Sequence, residues 1–173
     1  MKRLIKQIQA EWQVAKEAAA MQCEHQGDVR MAKLLRECRM FRGDETLEEL
    51  IGLMFTPRGI EFLTRFHFPT LSTFRKFLRY KPERFGVFID AGKIALTDTE
   101  RAFLVGNTTA YIKYGKTALN RLYMMHGATA NITAKGFSVV KVERDNTASI
   151  QINIEDNAKV LYILIEKCAI DSN

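Results

Sequence analysis

From Lys2 to about Glu24 the chain holds neither Gly nor Pro, and Leu4, Ile5, Ile8, Trp12, Ala15 and Ala19 recur at the spacing of one helical face. An amphipathic helix is predicted there. Gln26-Gly27 ends it, and Asp28 is placed to cap a second helix by accepting a backbone hydrogen bond. Met31, Leu34, Leu35, Cys38 and Phe41 form the apolar stripe predicted for that helix, with Arg30, Lys33, Arg36 and Arg39 on its solvated side. Thr46 with Glu49 makes a capping box ahead of Leu47, Leu50, Ile51, Leu53 and Met54. Thr56-Pro57 opens a further helix carrying Ile60, Phe62, Leu63 and Phe66, although Gly59 is a poor helix former. Phe68-Pro69 must be extended or a turn. Thr70 caps one more helix with Leu71, Phe74, Phe77 and Leu78, which closes before Lys81-Pro82.

After Phe85-Gly86 the period changes. Short apolar runs rich in β-branched residues alternate with Gly, Asn and Asp turns: Val87 to Ile89, Ile94 to Leu96, Phe103 to Val105, then turns at Gly106-Asn107, Gly115, Asn120, Gly127, Gly136, Asp145-Asn146 and Asp156-Asn157. Fragments opening at Asn107, Gly127, Asn146 and Asn157 resemble one another, each placing an aliphatic residue (Ile112, Ile132, Ile150, Val160) at a core-facing position. Such spacing fits an antiparallel barrel or sandwich as well as a parallel solenoid. Recurrence of Thr-Ala-x-Ile, as Thr109 to Ile112, Thr129 to Ile132 and Thr147 to Ile150, favours the solenoid. The expected architecture is α+β, with a helical, basic subdomain over residues 1–85 and a small β-solenoid over 86–173. The helices are expected to cap the first coil, and Leu161 to Cys168 to finish the other end, because an uncovered coil exposes unpaired backbone groups.

In its alternation of turn, small residue and inward Ile or Val, the segment 86–166 resembles the short-coil parallel β-helices of bactofilin-type and other bacterial solenoid proteins. That resemblance implies a scaffold, polymer or binding surface. Bactofilins are flanked by short disordered tails, whereas this chain carries a helical half, which argues against filament formation. Hexapeptide-repeat acyltransferases also join helices to a β-helix, and resemblance to them would cast His126 as general base. Their six-residue register is absent after Gly86, and a lone His in a turn is ordinary polar surface.

Charge adds one feature to this picture. The chain has 26 Lys and Arg against 20 Asp and Glu, a formal charge of +6, with 16 against 11 falling before Gly86. Arg58, Arg65, Arg75, Lys76, Arg79, Lys81 and Arg84 are interleaved with Phe62, Phe66, Phe68, Phe74, Phe77, Tyr80 and Phe85. Cations bind phosphates and exposed rings stack on bases, so the seven cations are the candidate anion or nucleic-acid site. Phe62 with Phe66, and Phe74 with Phe77, however, fall at helical spacing and are expected to pack inward. An acidic partner is expected near Tyr80 to Phe88, where helices give way to strands.

Other chemistry is sparse. Cys23, Cys38 and Cys168 imply no disulfide framework, and Cys23 with His25 gives at most two zinc ligands. No phosphate-binding Gly loop, His-Glu-x-x-His, Gly-x-Ser-x-Gly or clustered acid pair is present, and no cofactor or metal is implied. Turn carboxylates Asp90, Asp98, Glu143, Asp145, Glu155 and Asp156 suit the backbone of the turns they occupy. Tyr111, Tyr114, Tyr123 and Tyr162 are either an aromatic ladder on one face or half-buried strand residues. No run is long and apolar enough for a membrane span or a secretory signal, so a cytoplasmic protein is expected. The reading that follows is a non-enzymatic interaction or scaffold module with a protein partner not specified by the sequence. Its alternatives are phosphate-backbone binding and, behind that, acyl transfer.

Overall fold

The computed structural model describes residues 1–165, and the chain divides into two compact units between Thr73 and Phe74. In the first unit α1 (Lys2–His25) is the longest element and buries Leu4, Ile5, Ile8, Trp12, Ala19 and Ala20 along the expected face. It is followed by α2 (Val29–Glu37), α3 (Leu47–Met54) and α4 (Pro57–Phe66), with α5 (Leu71–Arg75) running across the boundary. The caps are those the sequence indicates. Asp28 accepts from Met31 N at 2.9 Å, Thr46 and Glu49 form a reciprocal box, and Thr56 accepts from Gly59 N at 3.0 Å ahead of Pro57. Gly59 is required where it stands, since a Cβ would meet Leu53 O at 2.3 Å. The Phe68-Pro69 peptide bond is cis.

The stripe expected of α2 is not its buried face. Met31 and Leu34 are about half exposed, Cys38 is exposed and beyond the helix end, and the helix buries only Ala32. Close approach of α2 to α1 at small residues is the reason. Ala32 is fully covered, as are Ala19 and Ala20 on α1, and the larger side chains are turned outward. Phe41 alone of that stripe's end is buried, stacked edge-on against Trp12 at 5.5 Å.

The second unit is a parallel β-solenoid of about four turns. Its strands are β1 (Val87–Ile89), β2 (Gly92–Thr97), β3 (Arg101–Val105), β4 (Thr108–Tyr114), β5 (Leu119–Met125), β6 (Thr129–Ala134), β7 (Val139–Arg144), β8 (Ser149–Ile154) and β9 (Lys159–Leu164). Odd strands form one parallel sheet, in the order β1-β3-β5-β7-β9, and even strands the other, in the order β2-β4-β6-β8. Each coil therefore contributes one strand to each sheet. Between the sheets lies a core of Leu104, Ile112, Tyr114, Leu122, Met124, Ile132, Val140 and Val142, with Ala102, Ala110, Ala130 and Ala134 filling the narrow places.

Coil length is not constant. Val87 pairs with Phe103 and Gly92 with Thr108, sixteen residues on, whereas Thr109 pairs with Thr129 and Leu119 with Val139, twenty on. The difference sits in one corner. From Thr97 to Arg101 the first coil crosses between sheets in four residues, and from Lys113 to Arg121, the matching positions of the next coil, in eight.

Stacking also revises the repeat. Ala130 pairs with Ile150 and Ile132 with Ile152, so Thr147-Ala-Ser-Ile150 is displaced by two residues from the Thr-Ala-x-Ile of the earlier coils. Register is held by the corner, where Ser149 N donates to Ala128 O at 3.0 Å and Gly127 N to Thr147 Oγ1 at 2.8 Å. The fragment from Asn157 belongs to the other sheet altogether, with Val160 opposite Val140.

Corners are built on carboxylates. Asp90, Asp98 and Asp156 adopt left-handed φ of 46°, 49° and 59°. Asp90 accepts from Asn107 N at 2.7 Å, Asp98 from Gly115 N at 2.7 Å and Lys116 N at 3.1 Å, and Asp156 from Gly136 N at 3.1 Å, in each case reaching an adjacent coil. Asp145, fully buried, accepts from His126 N at 3.0 Å and from Thr147 N, Thr147 Oγ1 and Ala148 N of its own turn. These groups are therefore coil-to-coil fasteners.

Two measurements follow. Ile132→Ala, in the closed part of the stack, should lower unfolding free energy by about 2–4 kcal/mol in urea titrations, and Ile154→Ala, half exposed in the last coil, by less than about 1 kcal/mol. The carboxyls of Asp98, through hydrogen bonds from Gly115 and Lys116, and Asp90, through Arg75 and then Asn107 N, lie below the ordinary 3.8. Their folded pKa values are depressed, so the stability they contribute is present above the unfolded value and is lost as pH falls through the folded one. The urea midpoint should drop on acidification below about pH 4, and Asp98→Asn should flatten that drop; an unchanged profile would remove Asp98 from this role.

Candidate functional site

The cover over the core changes at the C-terminal end of the described stack. β8 pairs only with β6 and β9 only with β7, so both strands of the last coil present free backbone edges within the described residues. Their inward side chains register the change. Ala130, Ile132 and Ala134 on β6 are 0–2% exposed, while Ile152 and Ile154, at the levels of Ile132 and Ala134 one coil on, are 37% and 51% exposed. On the other sheet Val140 and Val142 are fully buried, and Tyr162 and Leu164 are 42% and 40% exposed. Leu161 and Ile163 on the outer side add to the apolar surface.

Among the described residues this edge carries few of the devices that blunt one. Charged side chains, Pro and bulges discourage strand addition, yet β8 and β9 read Ser-Ile-Gln-Ile-Asn-Ile and Lys-Val-Leu-Tyr-Ile-Leu, with Lys159 the single charge and no Pro. Tyr162 is nonetheless held in place. The Arg144 guanidinium lies 5.3 Å from its ring centre and donates to its hydroxyl, and Arg144 Nη1 also donates to Asp145 O at 3.0 Å and Ala148 O at 2.5 Å. Of the segment expected to close this end, Leu161 to Leu164 form part of β9, and their side chains are themselves 40–55% exposed. Ile165 N donates to Arg144 O at 2.9 Å, and residues 166–168, with Cys168, lie outside the described residues.

The seven candidate cations are spread along the chain rather than focused. Arg58 and Arg65 belong to the helical unit, on α4, and Arg75, Lys76, Arg79, Lys81 and Arg84 to the solenoid unit. All seven are exposed. Arg65 lies 3.9 Å from Glu61, and Arg75 Nε donates to Asp90 Oδ2 at 2.5 Å, which raises the arginine's pKa and makes it part of a corner. The rings divide in burial. Phe68, Phe74 and Phe77 are buried and Phe62, Phe66, Tyr80 and Phe85 half-buried, with Arg79 stacked on Tyr80 and Arg84 on Phe85, each at 4.8 Å. The expectation of inward packing thus holds fully for Phe74 and Phe77 and in part for Phe62 and Phe66.

The Tyr80 to Phe88 junction is a tight connection. Tyr80 and Pro82 to Phe85 lie in 3₁₀ turns, Lys81 and Gly86 are left-handed, and Gly86 O accepts from Phe103 N at 2.8 Å. A Cβ on Gly86 would lie 2.7 Å from Arg101 O. The four tyrosines form no ladder: Tyr111 is half exposed on β4, Tyr114 and Tyr123 are buried, and Tyr162 lies on β9. Burial pushes the Tyr123 phenol up to about 12. His126 occupies a left-handed corner with its ring edge-on to Phe74 at 5.8 Å. Cys38 is an exposed free thiol, and no described helix is long and apolar enough to cross a membrane.

Sequence reasoning named the last coil as a place needing closure but missed it as a surface. The signal was present in the neutral Ser149 to Ile154 run, which carries three isoleucines and no charge. No family model, curated protein or solved structure matches the chain.

Proposed function

We propose that the protein is a non-enzymatic interaction module whose solenoid receives a β-strand-forming protein segment on the β8–β9 edge. The observation that supports it is the combination found there: two parallel edges without a strand partner among the described residues and six large apolar side chains 37–55% exposed, in a coil whose immediate predecessor buries Ile132, Ala134 and Val142 at the positions matching Ile152, Ile154 and Tyr162. Main-chain hydrogen bonds supply affinity in strand addition, and alternating side-chain positions supply selectivity. With one charge across both strands, the matching segment is neutral, with apolar residues at alternate positions. Its geometry is that of another coil of this solenoid, since each earlier edge receives a coil of that kind.

A synthetic peptide of residues 149–164 is the direct probe. Hydrogen exchange of the β8 and β9 amides should slow on titrating it in, while Ile152→Lys/Leu161→Lys protein should show no such protection. Exchange unaltered by the peptide in the wild-type protein would overturn this reading.

Phosphate-backbone binding is a second reading, supported by Arg79, Lys81 and Arg84 standing exposed within one short segment beside the half-buried Tyr80 and Phe85. Titration with a fluorescent single-stranded oligonucleotide should then give affinity that falls steeply with salt, by a slope of roughly −0.7 per phosphate contacted. Absence of binding at low salt would dispose of it.

A further inference from the structure

A different feature, in the helical unit, is a built cavity. It has a volume of about 600 Å³ and opens between α1 and the segment that follows α2. Its lining includes the buried Trp12, Phe41 and Lys16 and the exposed Gln13, Arg39 and Arg42. That volume lies within the range of small-molecule sites.

Lys16 is the informative residue. It is 7% exposed, an uncommon condition for a lysine, and no carboxylate lies within ion-pair distance of it among the described residues. Its ammonium lies 4.5 Å from the Trp12 ring centre and donates to Arg36 O at 3.0 Å and Cys38 O at 3.2 Å. Two carbonyls use two of three protons and neutralise none of the charge. The other cations around the cavity differ in how far they are satisfied. Arg36 is taken up by Glu17 and Glu24, which lie at 2.7 and 2.5 Å and push its pKa up. Arg42 meets Asp44 at 3.2 Å with both side chains well exposed, a pair of small worth in water. Arg39 makes no ion pair among the described residues. Glu37 is the sole acid in the lining, and Lys33 lies 3.9 Å from it.

The wall carrying these arginines is held in position. Lys16 grips its start at Cys38 O, Gln9 Nε2 donates to Arg42 O at 2.7 Å, and the buried Glu45 carboxylate accepts from Gly43 N at 2.9 Å and from Arg42 N. Gly43, at φ 94°, approaches Gln9 so closely that a Cβ would fall 2.2 Å from Oε1. A concave, positively charged surface with a buried ammonium and prearranged backbone is suited to a multivalent oxyanion.

We propose that this cavity binds a small phosphorylated compound, with Arg39 and Arg42 as fork donors to phosphate oxygens and Lys16 as the buried charge beneath them. Two guanidiniums beside an ammonium offer more donors than a single carboxylate accepts, which favours phosphate. This inference stands apart from the strand-addition reading and involves the other unit.

Isothermal titration of the full chain with pyrophosphate and with ribose 5-phosphate, at ionic strength matched by chloride, tests the proposal and separates its two sources. Tighter binding of pyrophosphate assigns free phosphate species, and tighter binding of ribose 5-phosphate assigns an organic phosphomonoester. Either should bind with Kd below about 1 mM. Arg39→Ala and Arg42→Ala, both at exposed positions, should each weaken binding roughly tenfold or more. Arg30→Ala, which removes an equal charge from an exposed position of the same unit outside the cavity, should leave it unchanged. No heat with either probe, or equal weakening by Arg30→Ala, overturns the site.

Discussion

Every corner of a parallel solenoid poses the same problem. The chain must leave one sheet and enter the other within a few residues, and the backbone amides of that turn must find acceptors without a strand partner. In this protein carboxylates supply many of them. Asp90, Asp98 and Asp156 each reach an amide of a neighbouring coil, and Asp145 gathers donors from its own turn and from the preceding corner at once. Left-handed backbone at three of these positions aims the short side chain along the stack. Coil spacing, strand register and the closely packed alanine and isoleucine core depend on this fastening.

A stack fastened from coil to coil is most fully covered in its middle. Its middle coils carry satisfied corners and covered cores, which leaves little free binding capacity in the strands themselves. The last described coil keeps the same backbone geometry with no successor among the described residues, and its isoleucines and leucines are about half exposed. The structure thus places candidate surfaces at the margins: the β8–β9 edge of the solenoid, and in the helical unit a cavity where a lysine is buried to secure a loop. In both places a group lacks its usual partner among the described residues: an edge without a strand, or a buried charge without a carboxylate.

Local signals were legible where local physics governs. The helix caps at Asp28, Thr46 and Thr56, the amphipathic face of α1, and the change of period at Gly86 are all properties of a few neighbouring residues, and each was realised. Two readings failed for one reason. The apolar stripe of α2 was assigned by spacing, but helix approach at Ala32 chose a different face; the third Thr-Ala-x-Ile was aligned by likeness, but the corner at Asp145 set a register two residues away. The coil-length change from sixteen to twenty residues, confined to one corner, further hid the period.

The sequence by itself determined that helices precede a repetitive β-segment, that the turns are acidic, and that positive charge gathers in the first half. These follow from propensity, period and composition, which act over a turn of helix or the span of a strand. Tertiary structure alone decided the parallel pairing of strands sixteen or twenty residues apart and the use of turn carboxylates as fasteners. It also decided which apolar residues lost their cover at β8 and β9. Those depend on contacts between distant residues, where hydrogen-bond satisfaction across coils outweighs the preferences of any one strand.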